Sequence, residues 1–168
     1  EPNETFTMTL SGPWAGTMTI GTGTGTGTIL DDDPAPTVSI DSPAPVSEAG
    51  GPVVFTVGLS GPSAFTVTVD WATADDSAAA PGDYTAGSGT VTFVPGDMSE
   101  TVSVSLVNDG IDEPDETFTV GLSNPSNATV GTSPGTGTIA DDEGTPAVSI
   151  DSPAAVPEAG GPVVFTVS

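Results

Sequence analysis

The sequence has no Lys, Arg, His or Cys, and its 23 acidic residues give a formal net charge of −23 at pH 7. Without cationic side chains the chain cannot bind phosphates, so nucleic acid is excluded as a partner, and so is docking on an anionic membrane surface. Without Cys there is no disulfide or thiolate site, and without Cys and His zinc is excluded as well. No apolar run reaches 18 residues, so we expect no insertion into a membrane.

The same absences argue against catalysis. Nucleophilic hydrolysis of the Ser/His or Cys/His type needs residues that this sequence does not contain. Paired carboxylates can hydrolyse glycosides, but that reaction needs a groove lined by aromatic side chains. Only Trp14, Trp71 and Tyr84 are available for such a groove, and the acidic residues cluster too tightly. We therefore predict that the chain is not an enzyme.

The acidic residues that are present concentrate in two stretches, at positions 109–116 and 141–143. Two like charges about 4 Å apart repel by roughly 1 kcal/mol in water and by more inside a protein. Because the chain offers no cationic side chain, a bound divalent cation is the simplest counter-charge, and oxygen-only ligands favour calcium, Ca²⁺. The alternative is that these are acidic turns solvated by water.

An internal repeat organises the chain. Residues 37–58 recur at 147–168 with 18 of 22 positions identical, which is an offset of 110. The same offset relates 27–33 to 137–143, and 1–7 resembles 113–119 at an offset of 112. A unit of about 110 residues is the size of a domain. We therefore predict that 1–36 is the C-terminal part of one repeat, 37–146 a complete repeat and 147–168 the N-terminal part of the next, as a window from a longer protein.

Within the complete repeat, apolar and polar residues alternate. Val53, Phe55 and Val57 face one way and Val54 and Thr56 the other, and three further stretches show the same period of two. This pattern is typical of strands buried on one face, and no stretch has a helical period. About seven short strands separated by Gly, Pro, Asn and Asp turns predict an all-β fold, an immunoglobulin-like antiparallel β-sandwich with Trp71 and the Phe residues in its core.

Five blocks in this order resemble the Calx-beta domain: SEAGG at 47–51, TADDSAAAPGDY at 73–84, GTVTFVPGD at 89–97, NDGIDEPDETF at 108–118 and DDE at 141–143. The resemblance implies a sandwich that binds clustered calcium ions at one end. Asn108 departs from the Asp of calcium-sensing members, which lowers the charge of the implied site. The implied ligands of the complete repeat are Glu48, Asp75, Asp109, the Ile111 carbonyl, Glu113, Glu116, Asp141, Asp142 and Glu143. The matching positions in the preceding part are Glu1, Glu4, Asp31, Asp32 and Asp33, and in the following part Glu158.

Two functions fit these expectations. The first is a calcium-stiffened structural or adhesive stalk of an extracellular or cell-surface protein, with short Pro-containing joints at 34–36 and 144–146 between repeats. Its partners would be neighbouring repeats, further copies in a fibre, or an unknown surface ligand. The alternative is a calcium-sensing regulatory domain of a membrane transport protein, since the family includes domains of sodium/calcium exchangers.

Overall fold

The computed structural model describes residues 2–12 and 19–168. Within these ranges the chain forms strands and one short 3₁₀ turn at Glu48–Gly50. No helix of the described part is long and apolar enough to cross a membrane. The strands are β1 Glu4–Thr9, β2 Thr24–Ile29, β3 Thr37–Ile40, β4 Val46–Ser47, β5 Val53–Leu59, β6 Val67–Asp75, β7 Ser88–Phe93, β8 Ser99–Val104, β9 Glu116–Ser126, β10 Thr129–Val130 and β11 Gly135–Ala140.

Strands β3 to β11 form two sheets that pack face to face. One sheet has the order β10-β3-β5-β8 and the other the order β4-β11-β9-β6-β7. The predicted all-β sandwich is confirmed. In the described part of the chain the sandwich consists of seven longer strands and the two-residue strands β4 and β10. These two pair in parallel with β11 and β3, and they are too short to show an alternation of apolar and polar residues in the sequence.

The core lies between the two sheets and follows the period of two. Val53, Phe55 and Val57 of β5 are fully buried, whereas Val54 between them is exposed. Phe118 of β9 meets the Phe55 ring edge-on, with 5.9 Å between ring centroids, and the Tyr84 ring stacks on Phe118 at 4.5 Å. Such aromatic pairs add about 0.5–1.5 kcal/mol each beyond the area they bury.

Two aromatic residues expected in the core do not reach full burial. Trp71 stands on the inward face of β6 but is only half-buried, and its ring lies beside Gly87 and Gly89 at the margin of the core. Phe65 precedes β6 in the turn that ends at Val67, and its side chain is exposed. The prediction that every Phe packs in a core was therefore wrong, since a turn residue has no facing sheet.

The flanking residues pair separately from the sandwich. Strand β1 pairs with β2 in an antiparallel hairpin, from Glu4 opposite Ile29 to Thr9 opposite Thr24. At the other end of the chain, Ile150 forms an isolated antiparallel bridge with Val167. The division of the chain into repeats at 1–36, 37–146 and 147–168 stays a prediction.

Candidate metal centre

Strand directions bring the acidic loops to one end of the sandwich. Strand β4 runs parallel to β11, so both end on the same side. Strand β9 is antiparallel to β11 and to β6, so it begins where they end. The residues after β4, β6 and β11 and the loop before β9 therefore meet at one edge, and these are the segments that carry the predicted ligands.

A first group of carboxylates joins Glu48, Asp141 and Glu143. Their oxygens lie within 4.8 Å of one another, and all three residues are half-buried. Burial raises the pKa of Glu48, and the neighbouring charges of Glu143, Asp109 and Asp141 raise it further, against a hydrogen bond donated by the Asp109 backbone N–H. Burial, followed by the charges of Asp142 and Asp141, likewise raises the pKa of Glu143. The protein thus holds these acids close together at an electrostatic cost.

One oxygen of this group has no partner. Among the described residues, Glu143 Oε2 is the buried side-chain oxygen that accepts no hydrogen bond. A carboxylate oxygen that leaves water without gaining a hydrogen-bond donor is costly. A cation bound between Glu48, Asp141 and Glu143 would remove both this cost and the repulsion, so the residues present fit a calcium ion.

A second group joins Asp83, Glu113 and Glu116, again with oxygens within 4.8 Å and with all three residues half-buried. Burial raises the pKa of Glu116, and a carboxyl–carboxyl hydrogen bond with Asp83 raises it further. The Ala79 backbone N–H donates to Asp83 Oδ2 at 2.6 Å, which fixes the Asp83 carboxylate toward the group.

The loop before β9 connects the two groups. The Glu113 backbone N–H donates to Asp141 Oδ1 at 3.3 Å, and the Asp141 N–H donates to Asp115 Oδ1 at 3.2 Å. Within the loop, the Ile111 N–H donates to Asp109 Oδ1 at 2.8 Å. The charge of Glu48 also contributes to the raised pKa of Glu116. The groups therefore form one acidic centre with two subsites.

Asp75 belongs to neither group, although the sequence predicted it as a ligand. The Tyr84 hydroxyl donates to Asp75 Oδ1 at 2.6 Å and the Ala80 N–H donates to the same atom at 3.1 Å. These hydrogen bonds lower the pKa of Asp75, the Tyr84 bond most. Burial first, then the bond to Asp75, raises the pKa of Tyr84 to about 12. Asp75 thus holds the loop that carries Asp83.

Asp83 is the acidic residue that the sequence reasoning missed. It stands in the GDY block at 82–84, whereas the resemblance implies Asp75, the Asp that precedes this loop, as the ligand. The position of Asp83 next to Tyr84 in the sequence could have identified it. Asp83 lies one residue from Tyr84, whose buried ring anchors the loop against Phe118 and so directs Asp83 toward the edge where Glu116 begins β9.

The remaining predicted ligands fall into three classes. Asp109 and Asp142 lie close enough to act on the first group by charge, while the side chain of Ile111 is exposed. In the described part of the flanks, Glu4, Asp31, Asp32, Asp33 and Glu158 join no group of three carboxylates. Asp31 N–H instead donates to Asn3 Oδ1 at 2.8 Å. Glu1 lies outside the described residues.

An antiparallel sandwich that gathers carboxylates from several loops at one end defines a class of cation-binding β-sandwich modules. The profile of the Calx-beta domain matches residues 31–143, about two thirds of this sequence. The chain belongs to the Calx-beta domain family.

Relatives that match part of the chain include sodium/calcium exchangers. The chain is 46% identical over 59 residues, 35% of its length, to sodium/calcium exchanger 1 of Canis lupus familiaris, and this covers 6% of that protein. It is 38% identical over 79 residues, 47% of its length, to sodium/calcium exchanger 3 of Homo sapiens, covering 8% of that protein. The chain thus spans less than a tenth of these relatives.

Solved structures agree on the fold. The apo form of the Calx CBD1 domain superposes with a TM-score of 0.57 at 26% identity, covering 64% of this chain and 99% of that one. The calcium-binding domain CBD12 of CALX1.1 superposes with a TM-score of 0.62 at 24% identity, covering 69% of this chain and 50% of that one. The second likeness concerns the fold alone.

Proposed function

We propose that residues 37–146 form a calcium-binding module of the regulatory type, in which calcium binding at the end of the sandwich changes the order of the acidic loops. The observation that carries this proposal is the convergence of two half-buried carboxylate groups, one of them with an unpartnered oxygen, in a chain without a single cationic side chain. At neutral pH, acids gathered in this way destabilise the folded state unless a cation binds between them.

The ligand chemistry favours calcium over smaller ions. Calcium accepts six to eight oxygens in irregular geometry, whereas magnesium demands an octahedron and keeps its waters. Carboxylates from four segments, with Asp109 and Asp142 beside them, offer a crowded and irregular oxygen shell. Glu48 and Asp141 belong to the first subsite and lie beside the second. The two subsites fit about two calcium ions, and further ions would bind only by sharing ligands with these two.

A regulatory role is supported by the relatives rather than by the site itself. The relatives that this chain resembles over part of its length are named sodium/calcium exchangers. We therefore favour a module that reports calcium to a larger membrane transport protein over an adhesive stalk. This reading makes the domain non-catalytic, and it offers no support for the extracellular or cell-surface placement expected from the sequence.

The stalk remains a second candidate because one observation favours it. The flanks repeat the sequence of the sandwich and are joined to it by three-residue segments at 34–36 and 144–146. Rigid joints and repeated units suit a rod. Affinity separates the two functions: a sensor needs binding from about 10⁻⁷ to 10⁻⁵ M, whereas extracellular modules bind at about 10⁻⁴ to 10⁻³ M.

The test compares two glutamates that occupy equivalent positions of the repeated sequence. Glu48 and Glu158 stand in the same EAGG sequence, but only Glu48 joins a carboxylate group. We expect Glu48→Gln to lower calcium affinity by at least about tenfold, the scale of losing even an indirect metal contact, and Glu158→Gln to leave it unchanged. Isothermal titration calorimetry of both variants measures this, with melting curves in EDTA and in calcium.

Wild-type protein should bind about two calcium ions and melt at a higher temperature in calcium than in EDTA, because a ligand that binds only the folded state stabilises it. Equal melting temperatures in calcium, magnesium and EDTA at matched ionic strength would refute the calcium site. The acidic loops would then be solvated turns, and the sandwich would stand without a metal.

A further inference from the structure

The paired strands β6 and β9 part beside the second carboxylate group. Their last pair joins Asp75, where β6 ends, to Phe118. Strand β9 begins two residues earlier, at Glu116, so Thr117 and Glu116 lie beyond the paired region. Backbone N–H and C=O groups need hydrogen-bond partners wherever water is displaced. The partners of Thr117 therefore show how the loop at 76–83, which follows β6, is attached to β9.

Three consecutive loop residues bind the three polar groups of Thr117. The Thr117 N–H donates to Ser77 Oγ at 2.8 Å, and the Thr117 hydroxyl donates to Asp76 Oδ2 at 2.8 Å. The Ala78 N–H donates to the Thr117 carbonyl at 2.9 Å. We call these three hydrogen bonds the Thr117 clamp. Two of them depend on side chains, so a substitution can remove them one at a time.

The rest of the loop forms a compact turn around Asp83. The Ala79 carbonyl accepts a hydrogen bond from the Asp83 N–H at 3.2 Å, and the Ala79 N–H binds the Asp83 carboxylate in return. Tyr84, the next residue along the chain, fixes this turn to the core by stacking on Phe118. The Thr117 clamp fixes the same turn to β9.

The clamp therefore sets the distance between two carboxylates of the second group. Asp83 belongs to the turn, and Glu116 is the residue before Thr117 in β9. The oxygens of Asp83, Glu113 and Glu116 lie within 4.8 Å of one another, so their charges repel. Without a restraint the loop would move away from β9 and the repulsion would fall. A restraint that holds ligands together before the ion binds raises affinity, because less order is lost on binding.

The first carboxylate group lies on the other side of β9. The sheet order β4-β11-β9-β6-β7 places β11 and β6 on opposite sides of β9. Glu48 follows β4, and Asp141 and Glu143 follow β11, whereas the clamp joins β9 to the loop after β6. Loss of the clamp should therefore weaken chiefly the second subsite.

We propose that Ser77 and Thr117 are positioning residues for calcium: through the Thr117 clamp they hold Asp83 beside Glu116 before the ion binds. This inference rests on the proposed calcium site, because a positioning residue acts only through the ligands that it holds. Neither residue belongs to a carboxylate group, and the two side-chain bonds of the clamp are exposed to solvent. Exposed hydrogen bonds exchange readily with water and add little to folding stability. The contribution of the clamp to calcium affinity is therefore larger than its contribution to the fold.

Two serine variants separate positioning from general stability. Ser77→Ala removes the oxygen that accepts the Thr117 N–H. Ser60→Ala removes the same kind of oxygen at the opposite end of the sandwich, where Ser60 Oγ accepts the Thr37 N–H at 2.9 Å. Both bonds are exposed, so both variants should lower the melting temperature in EDTA by the same small amount. Only Ser77→Ala should lower the affinity for one of the bound calcium ions, by at least about tenfold, in isothermal titration calorimetry.

A second pair of variants tests the hydroxyl bond of the clamp. Thr117→Val keeps the shape of the side chain but removes the hydroxyl that binds Asp76, whereas Thr117→Ser keeps that hydroxyl. We expect Thr117→Val to weaken the same calcium ion as Ser77→Ala, by a smaller factor because the Thr117 N–H still binds Ser77. Thr117→Ser should bind calcium as the wild-type protein does.

Combination with ligand variants identifies the ion that is affected. In an Asp83→Asn background the second subsite has already lost a carboxylate, so adding Ser77→Ala should lower affinity no further. In a Glu48→Gln background the second subsite is intact, so Ser77→Ala should lower affinity by the same factor as in the wild-type protein. Such a cycle measures the coupling between Ser77 and Asp83 directly.

The outcomes separate this proposal from the calcium site itself. A wild-type protein that binds no calcium would refute both. If the wild-type protein binds calcium, three results would each overturn the positioning role alone: unchanged affinity in Ser77→Ala, an equal loss in Ser60→Ala, or an undiminished effect of Ser77→Ala in the Asp83→Asn background. The calcium site would stand in each case. A selective loss in Ser77→Ala that disappears with Asp83→Asn is the expected result.

Discussion

Phe118 and Phe6 stand in the same short sequence, pair with equivalent glycines and lie in hairpins of identical register, yet Phe118 is fully buried and Phe6 is 54% exposed. The comparison separates strand pairing from burial in a core, which usually occur together. Strand pairing and register follow from the local sequence, because in both β2 and β11 a glycine stands opposite the Phe, where a Cβ would clash with the ring. Burial depends on the facing sheet, which the hairpin lacks and the sandwich has.

The largest expected difference between the two regions is energetic. Phe118→Ala removes a ring that contacts both Phe55 and Tyr84 and leaves a cavity, so we expect a loss of about 3–5 kcal/mol in the free energy of unfolding. Phe6→Ala at low protein concentration should change it by less than about 0.5 kcal/mol, since it alters an exposed residue. Urea unfolding followed by Tyr and Trp fluorescence measures both, and equal losses would show that the hairpin packs on the sandwich.

A cross-strand glycine gives a second contrast. At Gly137 a Cβ would come within 2.7 Å of the Phe118 ring and 3.0 Å of the Phe55 ring, both of them confined in the core. At Gly27 a Cβ would meet the Phe6 ring alone, which is free to turn into solvent. We expect Gly137→Ala to cost about 1–3 kcal/mol of stability, the range for overpacking a core, and Gly27→Ala much less. A Gly27 variant as unstable as the Gly137 variant would contradict the contrast.

Within the sandwich, Asp83 and Asp75 test the difference between a ligand and a supporting residue. Asp83→Asn keeps an acceptor for the Ala79 N–H but removes a carboxylate from the second group, so calcium affinity should fall by at least about tenfold. Calorimetric titration measures this, with little change expected in the EDTA melting temperature.

Asp75→Asn is the matched control for that experiment. It should lower the melting temperature in EDTA and in calcium alike, because it weakens the bond from Tyr84, and it should lower the pKa of Tyr84 from about 12. Ultraviolet titration of the phenol follows this change. If Asp75→Asn lowers calcium affinity and Asp83→Asn does not, the roles of the two residues are reversed.

The sequence predicted the fold well because a period of two, repeated turns and an internal repeat all depend on local pattern. The resemblance also implied that Glu48, Asp141 and Glu143 belong to one site, and their oxygens lie within 4.8 Å of one another. The sequence could not distinguish the roles of Asp75 and Asp83, because both are acids near Tyr84. The conformation of the loop at 76–83 decides which of the two carboxylates faces Glu116. Nor could the sequence reveal that Trp71 is half-buried, since the alternation assigns Trp71 to the inward face of β6 but does not say which side chains cover its ring.

The smallest effect concerns pH, and its sign distinguishes an acidic centre from ordinary surface acids. The pKa values of Glu48, Glu116 and Glu143 are raised above 4.5 in the folded state, chiefly by burial. Their protonated forms therefore stabilise the fold at and below pH 4.5, and that contribution is lost as pH rises through the folded pKa values. Asp70 and Asp75 have lowered pKa values and act oppositely, with stability lost as pH falls below 3.8.

In EDTA the melting temperature should consequently pass through a maximum near pH 4–5 and decline by a few degrees toward pH 7, where self-repulsion of the charged chain adds to the loss. Saturating calcium should reverse this slope, because a bound cation favours the ionised carboxylates and protons compete with it. Differential scanning calorimetry at several pH values measures both curves. If the melting temperature in EDTA instead rises steadily from pH 4.5 to 7, repulsion among the acids of the two carboxylate groups does not destabilise the fold. The end of the sandwich and the flanks would then differ in burial alone.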